Sequence, residues 1–145
     1  MSELEFEVVN SPSGNFIRPL HSALSEYNRS HNAFSNIKPL GVCVKHPEGH
    51  TLGAIYGWLE WEWLFINLLW VDESMRGQGI GSELLKMLEQ QAVKLGVTRA
   101  YLETGCFQAP EFYIKQGYKV ITRMPIRSDD GHEFVKLTMH KARIA

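Results

Sequence analysis

The chain has 145 residues, 44% of them hydrophobic and 21% charged, which is enough apolar material for one compact domain and points to a single unit over residues 1–145. Its formal net charge of -1 provides no basic field to hold a nucleic acid by counterion release. The longest near-apolar run, residues 63–71, is interrupted by Asn67 and falls far short of the roughly 20 residues a membrane-crossing helix needs, so no membrane partner is expected.

The amino terminus, Met1 to Glu7, is acidic and lacks the basic flank and apolar stretch of a signal peptide. A cytoplasmic protein whose mature chain starts at Met1 is expected. Residues Leu4 to Val9 alternate weakly and read as a first strand, broken by Ser11-Pro12-Ser13-Gly14. From Ile17 to Tyr27, Ile17, Leu20, Leu24 and Tyr27 recur at helical spacing, and this helix is a candidate border for a substrate groove. Leu40 to Val44 and Leu52 to Trp61 flank a Pro/Gly turn as a β-hairpin, and Glu60 and Glu62 mark a second reversal. Leu64 to Val71 is apolar at nearly every position, as a central strand covered on both faces would be. Between Gly79 and Leu95, Ile80, Leu84, Leu85, Leu88, Ala92 and Leu95 form one helical stripe, and Gly96 stops it. Arg99 to Thr104 reads as a strand, Pro110 to Gln116 as a short helix, Tyr118 to Thr122 and Phe134 to His140 as strands, with a turn at residues 128–131. The pattern predicts an α/β (mixed α+β) chain: a mixed sheet with helices on its faces.

The stretch richest in chemistry is residues 68–82, a strand running through a glycine-rich turn into an amphipathic helix. Glycines let the main chain curve with its N–H groups turned inward, and the helix start adds unpaired donors and the positive end of its dipole. Such a turn suits a diphosphate. A dinucleotide fingerprint would place Gly or Ala where Ser82 stands, and a P-loop would need a lysine this turn lacks.

Arg76-x-x-Gly79-x-Gly81, preceded by Leu69-Trp70-Val71, resembles the acetyl-CoA loop of the GCN5-related N-acetyltransferases (GNAT family). About thirty residues on, Ala109 to Tyr118, with the pair Phe112-Tyr113 and then Gly117-Tyr118, is similar to that family's second signature. The resemblance covers residues 64–122 in detail. It implies the acyl-CoA N-acyltransferase fold, a mainly antiparallel mixed sheet with a splay between two central strands and helices on both faces. It also implies acetyl-CoA as acetyl donor, a primary amine on a small molecule, protein or peptide as acceptor, and direct attack in a ternary complex. Leu69, Trp70 and Val71 would hold the pantetheine arm, with the Val71 N–H facing the thioester oxygen. Arg76, Gly77, Gln78, Gly79, Ile80, Gly81 and Ser82 would receive the diphosphate, and Tyr113 would be the general acid. Cys106 stands where many relatives carry an asparagine that bonds the arm, and a thiol is a poor substitute, so either main chain or Gln108 takes over that contact or the arm is held more loosely.

The general base is open in the sequence. Glu103, on the strand beside the splay, is the first candidate, with Glu60, Glu62 and His132 as rivals. Trp58, Glu60, Trp61, Glu62 and Trp63 form an aromatic-acidic cluster that suits a cationic acceptor or, equally, a packed hairpin. The six histidines form no evident ligand set and the two cysteines, Cys43 and Cys106, no CxxC pair, so no metal and two packed free thiols are expected. The strand-rich ends offer a surface for a homodimer. A non-catalytic acetyl-CoA or CoA sensor of the same fold is the alternative to an enzyme, less favoured because it would have no use for Tyr113.

Overall fold

The structure is a computed structural model that describes residues 3–145. Two compact units divide the chain, the first ending at Ser35 and the second spanning Asn36–Ala145. In the first unit, helix α1 (Gly14–Ser30) contains the expected apolar stripe and begins earlier than Ile17. The carbonyl of Ser13 accepts from the N–H groups of Phe16 and Ile17 at 3.0 and 3.1 Å and so closes its first turn. None of its residues is buried. The expected strand from Leu4 to Val9 is not formed: this stretch has no regular secondary structure, and Leu4, Phe6 and Val8 are fully open. Alternation supplies the right side chains, but a strand persists only when a neighbour takes up its N–H and C=O groups, and no described strand pairs with it.

The second unit is a six-stranded sheet: β1 (Lys38–Lys45), β2 (Thr51–Glu60), β3 (Trp63–Val71), β4 (Arg99–Gly105), β5 (Lys119–Arg127) and β6 (Glu133–Lys141). Their spatial order is β1-β2-β3-β4-β6-β5, antiparallel throughout except for the parallel pair β3–β4. The antiparallel reversals between consecutive strands, β1–β2, β2–β3 and β5–β6, are short. Between β2 and β3 only Trp61 and Glu62 lie outside the strands, both left-handed at φ 54° and 65°, the backbone that matches the twist of a two-residue hairpin. The parallel pair needs a crossover, and helix α2 (Ile80–Lys94) provides it. β5 runs to Arg127, beyond the expected Thr122, and includes Pro125. It is an edge strand, where a residue without an N–H is tolerated.

Strand alternation sends Ile55, Leu59, Leu64, Ile66, Ala100, Leu102, Leu137 and Met139 to one face, where they bury against Leu84, Leu85, Leu88 and Ala92 of α2. Full burial of each large apolar side chain stabilises the fold by about 1.5–3 kcal/mol relative to exposure. On the same side, Glu89 of α2 pairs with Lys141 of β6 at 3.0 Å. Burial pushes the Glu89 carboxyl above its ordinary value despite the lysine. The Tyr118 hydroxyl is buried there without a hydrogen-bond partner, and burial also pushes its phenol up.

Two features of β3 determine where the sheet opens. Tyr56 pairs with Leu68 and Gly57 with Ile66, so Asn67 is the extra residue of a β-bulge, which accounts for the polar interruption in an apolar run. A Cβ on Gly57 would lie 2.1 Å from the Phe65 carbonyl oxygen, so the bulge requires glycine opposite it. Beyond the bulge β3 is not covered on both faces as expected, since Leu68 is 62% and Trp70 49% exposed. Its pairing with β4 ends at Ile66↔Leu102, and the ladder takes up no further residue of β3 on that side.

Gly57→Ala is expected to destabilise the chain by about 3 kcal/mol in urea unfolding, the upper range for a forced clash; an unchanged midpoint would mean the bulge can shift. Tyr118→Phe removes a buried hydroxyl with no partner and should leave stability equal or raise it by about 1 kcal/mol. A phenol raised on folding contributes fully below its unfolded value of about 10 and loses that contribution as pH climbs towards the folded value. Stability measured above about pH 10 should therefore fall less steeply in the Phe variant than in the parent.

Candidate active site

Where β3 and β4 part, the main chain of β3 is left with groups to offer. The Asp72 N–H donates to the Leu52 carbonyl at 2.7 Å, so Asp72 faces β2; antiparallel alternation then turns the N–H and C=O of Val71, and of Leu69 two residues back, towards the gap. Arg76 confirms that direction, its Nε donating to the Val71 carbonyl at 3.0 Å. The turn between them is held by Asp72, whose carboxylate accepts from the Ser74 N–H at 3.1 Å and from the Ser74 hydroxyl. These bonds hold the Asp72 carboxyl below the usual carboxylate range.

The loop then enters α2 through Gly77 and Gly79, at φ 78° and 79°. Side chains rarely adopt this backbone, and a Cβ at either position would meet nothing within 4 Å, so the glycines serve conformation and the space beside them is open. The first intrahelical bond is Glu83 N–H to the Gly79 carbonyl at 3.1 Å, which leaves the N–H groups of Ile80, Gly81 and Ser82 as unpaired donors at the positive end of the helix. The Ser82 hydroxyl accepts from Gln116 Nε2 at 2.9 Å, tying the loop to the segment after helix α3 (Pro110–Lys115). Pro110 opens that helix after Ala109, left-handed at φ 65°. Phe112 packs beside Gly81, and the adjacent Tyr113 turns to a different side, its ring 5.0 Å from that of Phe112 and 5.9 Å from that of Tyr118. Burial pushes the Tyr113 phenol above its ordinary value, so it is protonated at neutral pH.

Together these groups enclose an open cleft of about 560 Å³. Of the residues singled out in the sequence, Leu69, Val71, Arg76, Gly77, Gly79, Ile80, Gly81, Ser82 and Tyr113 line it. Trp70 and Gln78 do not, because Trp70 points to the opposite face of β3 and Gln78 stands between the two turn glycines. Met75, Gln108, Ala109 and Phe112 complete the wall. Ala109 and Phe112 belong to the second signature and Gln108 adjoins it, whereas Met75 carries no chemical signal of its own.

Cys106 lies elsewhere. Its Sγ accepts from the Val135 N–H at 3.4 Å, and it lines a separate cavity of about 440 Å³ between β5 and β6. Gln108 stands in the cleft wall with its side-chain oxygen accepting from the Gly105 N–H at 2.7 Å. Both cysteines are free thiols, but exposed and not packed as expected. Glu103 is exposed and is the first residue of β4 past the last β3–β4 pair, on the face away from α2, where it meets Lys136 at 3.5 Å. Of the rival bases, Glu62 pairs with Arg99 at 3.3 Å and His132 with Asp130 at 3.0 Å, both on exposed turns. The histidines are less scattered than their spacing suggested. His46, Glu48 and His50 share the β1–β2 turn with potential ligand atoms within 4.8 Å of one another. The two imidazole rings stack nearly parallel at 13°, and His46 Nδ1 accepts the Glu48 N–H at 3.1 Å. No helix among the described residues is long and apolar enough to cross a membrane.

The chain matches the family model described as Acetyltransferase (GNAT) family over residues 8–118. A blasticidin-S acetyltransferase from Streptomyces morookaense is 40% identical over 92 residues, covering 61% of this chain and 68% of that protein. The crystal structure of an acetyltransferase from Bacillus cereus superposes with a TM-score of 0.80 at 28% identity, over 94% of this chain and 97% of that one. At the level of fold, the likeness extends to an aminoglycoside 6'-N-acetyltransferase complexed with coenzyme A, with a TM-score of 0.62 at 20% identity over 86% and 81% of the two chains.

Gly79→Ala forces an alanine into the left-handed region and is expected to destabilise the chain by about 1 kcal/mol in urea unfolding. Gly81→Ala, which adds a methyl at ordinary contact distance from Phe112, should cost less; a reversed order would contradict the conformational account of this turn.

Proposed function

The chain belongs to the GNAT acetyltransferase family, and from that premise we propose that it transfers the acetyl group of acetyl-CoA to a primary amine, both substrates being bound together. The observation that carries this reading is the run of unpaired amides at the start of α2, beside strand groups that turn into a gap in the sheet. The residues fit the donor. Gly77 and Gly79 leave open space for a diphosphate, the N–H groups of Ile80, Gly81 and Ser82 donate to its oxygens, and Arg76 adds a positive charge at the rim. Leu69 and Val71 bind the pantetheine amides as a neighbouring strand would. The 560 Å³ cleft is within the ordinary range for a cofactor site.

Bound acetyl-CoA supplies an activated thioester. The Val71 N–H donates to the oxygen that gains charge as the amine attacks. Tyr113, kept protonated by burial, holds a proton at Oη for the departing sulfur. Glu103 stands at the parting of the strands and on the other face of the sheet from the cleft, so a proton leaves the ammonium towards it, directly or through water, without competing with Tyr113. The whole of residues 1–145 acts as one catalytic domain in this reading.

Release of thiol from acetyl-CoA should depend on added primary amine and saturate in both substrates. Saturable coenzyme A binding with no thiol release for any amine would replace the enzyme by a sensor. Tyr113→Phe should lower kcat by roughly 10²–10⁴ while acetyl-CoA affinity stays within a few-fold, and equal loss of both would remove its acid role. Because the phenol is raised, turnover should not decline on the alkaline side before about pH 10.

A further inference from the structure

The face of the sheet away from α2 has a pattern that acetyl transfer alone does not require. Trp58, Phe65, Tyr101 and His140 are direct Cα partners across β2, β3, β4 and β6, so four strands contribute one continuous row of rings. Trp58 and Phe65 lie 4.7 Å apart and Phe65 and Tyr101 4.9 Å, both tilted. Tyr56 extends the row at 6.0 Å from Trp58, and Trp63 closes the other end against Tyr101 and His140. None of the row is fully buried, and Tyr56 and Leu68, on the side of the strand gap, are 40% and 62% exposed.

The charges on this face have a consistent arrangement. Glu60 ends β2 on one side of Tyr101 and Glu103 follows it along β4, and both carboxylates add to the burial that pushes the Tyr101 phenol up. Two basic groups nearby are engaged: Lys136 pairs with Glu103, and Arg99 pairs with Glu62 and sits with its guanidinium 5.0 Å from the centre of the Trp63 ring. At one end, then, the aromatic floor already holds a cation of the chain's own.

We propose that this face is the acceptor subsite and that it selects amines bearing a second positive charge, a compact diamine or amino-guanidine, over neutral or acidic amines. The assignment as an acceptor rests on the acetyl-transfer reading; the selection of a dication does not. The remote cation lies on the rings of Trp58, Phe65 and Tyr101 beside the carboxylate of Glu60, and the reacting nitrogen reaches towards the point where β3 and β4 part and Glu103 stands. A carboxylate on the acceptor would meet Glu60 and Glu103 with like charge.

The test is direct binding without any acetyl donor, read by tryptophan fluorescence, with 1,4-diaminobutane, 1-aminobutane and 4-aminobutyrate as probes. The diamine should bind at least about ten-fold more tightly than the monoamine, the scale of one desolvated cation–π contact, and the amino acid more weakly still. Glu60→Gln and Trp58→Leu should each remove most of that preference while coenzyme A affinity, measured by calorimetry, stays within two-fold, which also shows that the variants are folded. Equal affinity for the three probes, or a parental preference in Glu60→Gln, overturns the proposal. Dication binding without thiol release would leave this subsite standing and sink the transfer reading. Thiol release at equal kcat/KM for all three probes would do the opposite.

Discussion

Four residues of parallel pairing, Trp63–Ile66 against Arg99–Leu102, join the two halves of the sheet, and the site depends on that ladder stopping where it does. Were it continued, the N–H and C=O groups of Leu69 and Val71 would be consumed by β4 and nothing could approach them. The bulge at Asn67 lies immediately past the last pair, where a bulged strand bends and twists more strongly. Gly57 is its counterpart on β2, because any side chain there would strike the Phe65 carbonyl. One polar residue and one glycine on adjacent strands thus mark the place where the sheet opens.

The opening gives the sheet two working faces with different chemistry. On the α2 side, glycine turns and a helix start concentrate N–H donors beside a tyrosine kept neutral by burial, a setting for anionic and developing negative charge. On the other side, rings and carboxylates predominate, a setting for cations. Glu103 stands beside the line that divides them. Period-two alternation produces this separation, since neighbours such as Leu102 and Glu103, or Leu69 and Trp70, point to opposite faces. It is also the reason Trp70 belongs with the second face although it lies inside the first signature.

Much of the second unit was legible because its signals are local. The α2 stripe from Leu84 to Ala92, the stop at Gly96, the Pro110 start and the Ser128–Gly131 turn all depend on residues within a turn or two of one another. The failures share the opposite property. Leu4 to Val9 has strand composition but pairs with no described strand, and β5 continues past Thr122 because β6 is there to pair with it. His46 and His50 are brought ring to ring by a hairpin, and Cys106 is turned to β6 by the Val135 amide, neither of which spacing reveals.

By itself the sequence determined the glycine turn, the helix it feeds and the Phe112-Tyr113 pair, because these depend only on the backbone freedom of glycine and the geometry of one helix. The family resemblance implied a splay and a tyrosine near the donor, whereas the tertiary structure alone decided that the parting falls after Ile66↔Leu102 and that Trp58, Phe65, Tyr101 and His140 line up across four strands. Register between strands distant in the chain is set by packing against a common core, and no window of neighbouring residues encodes it.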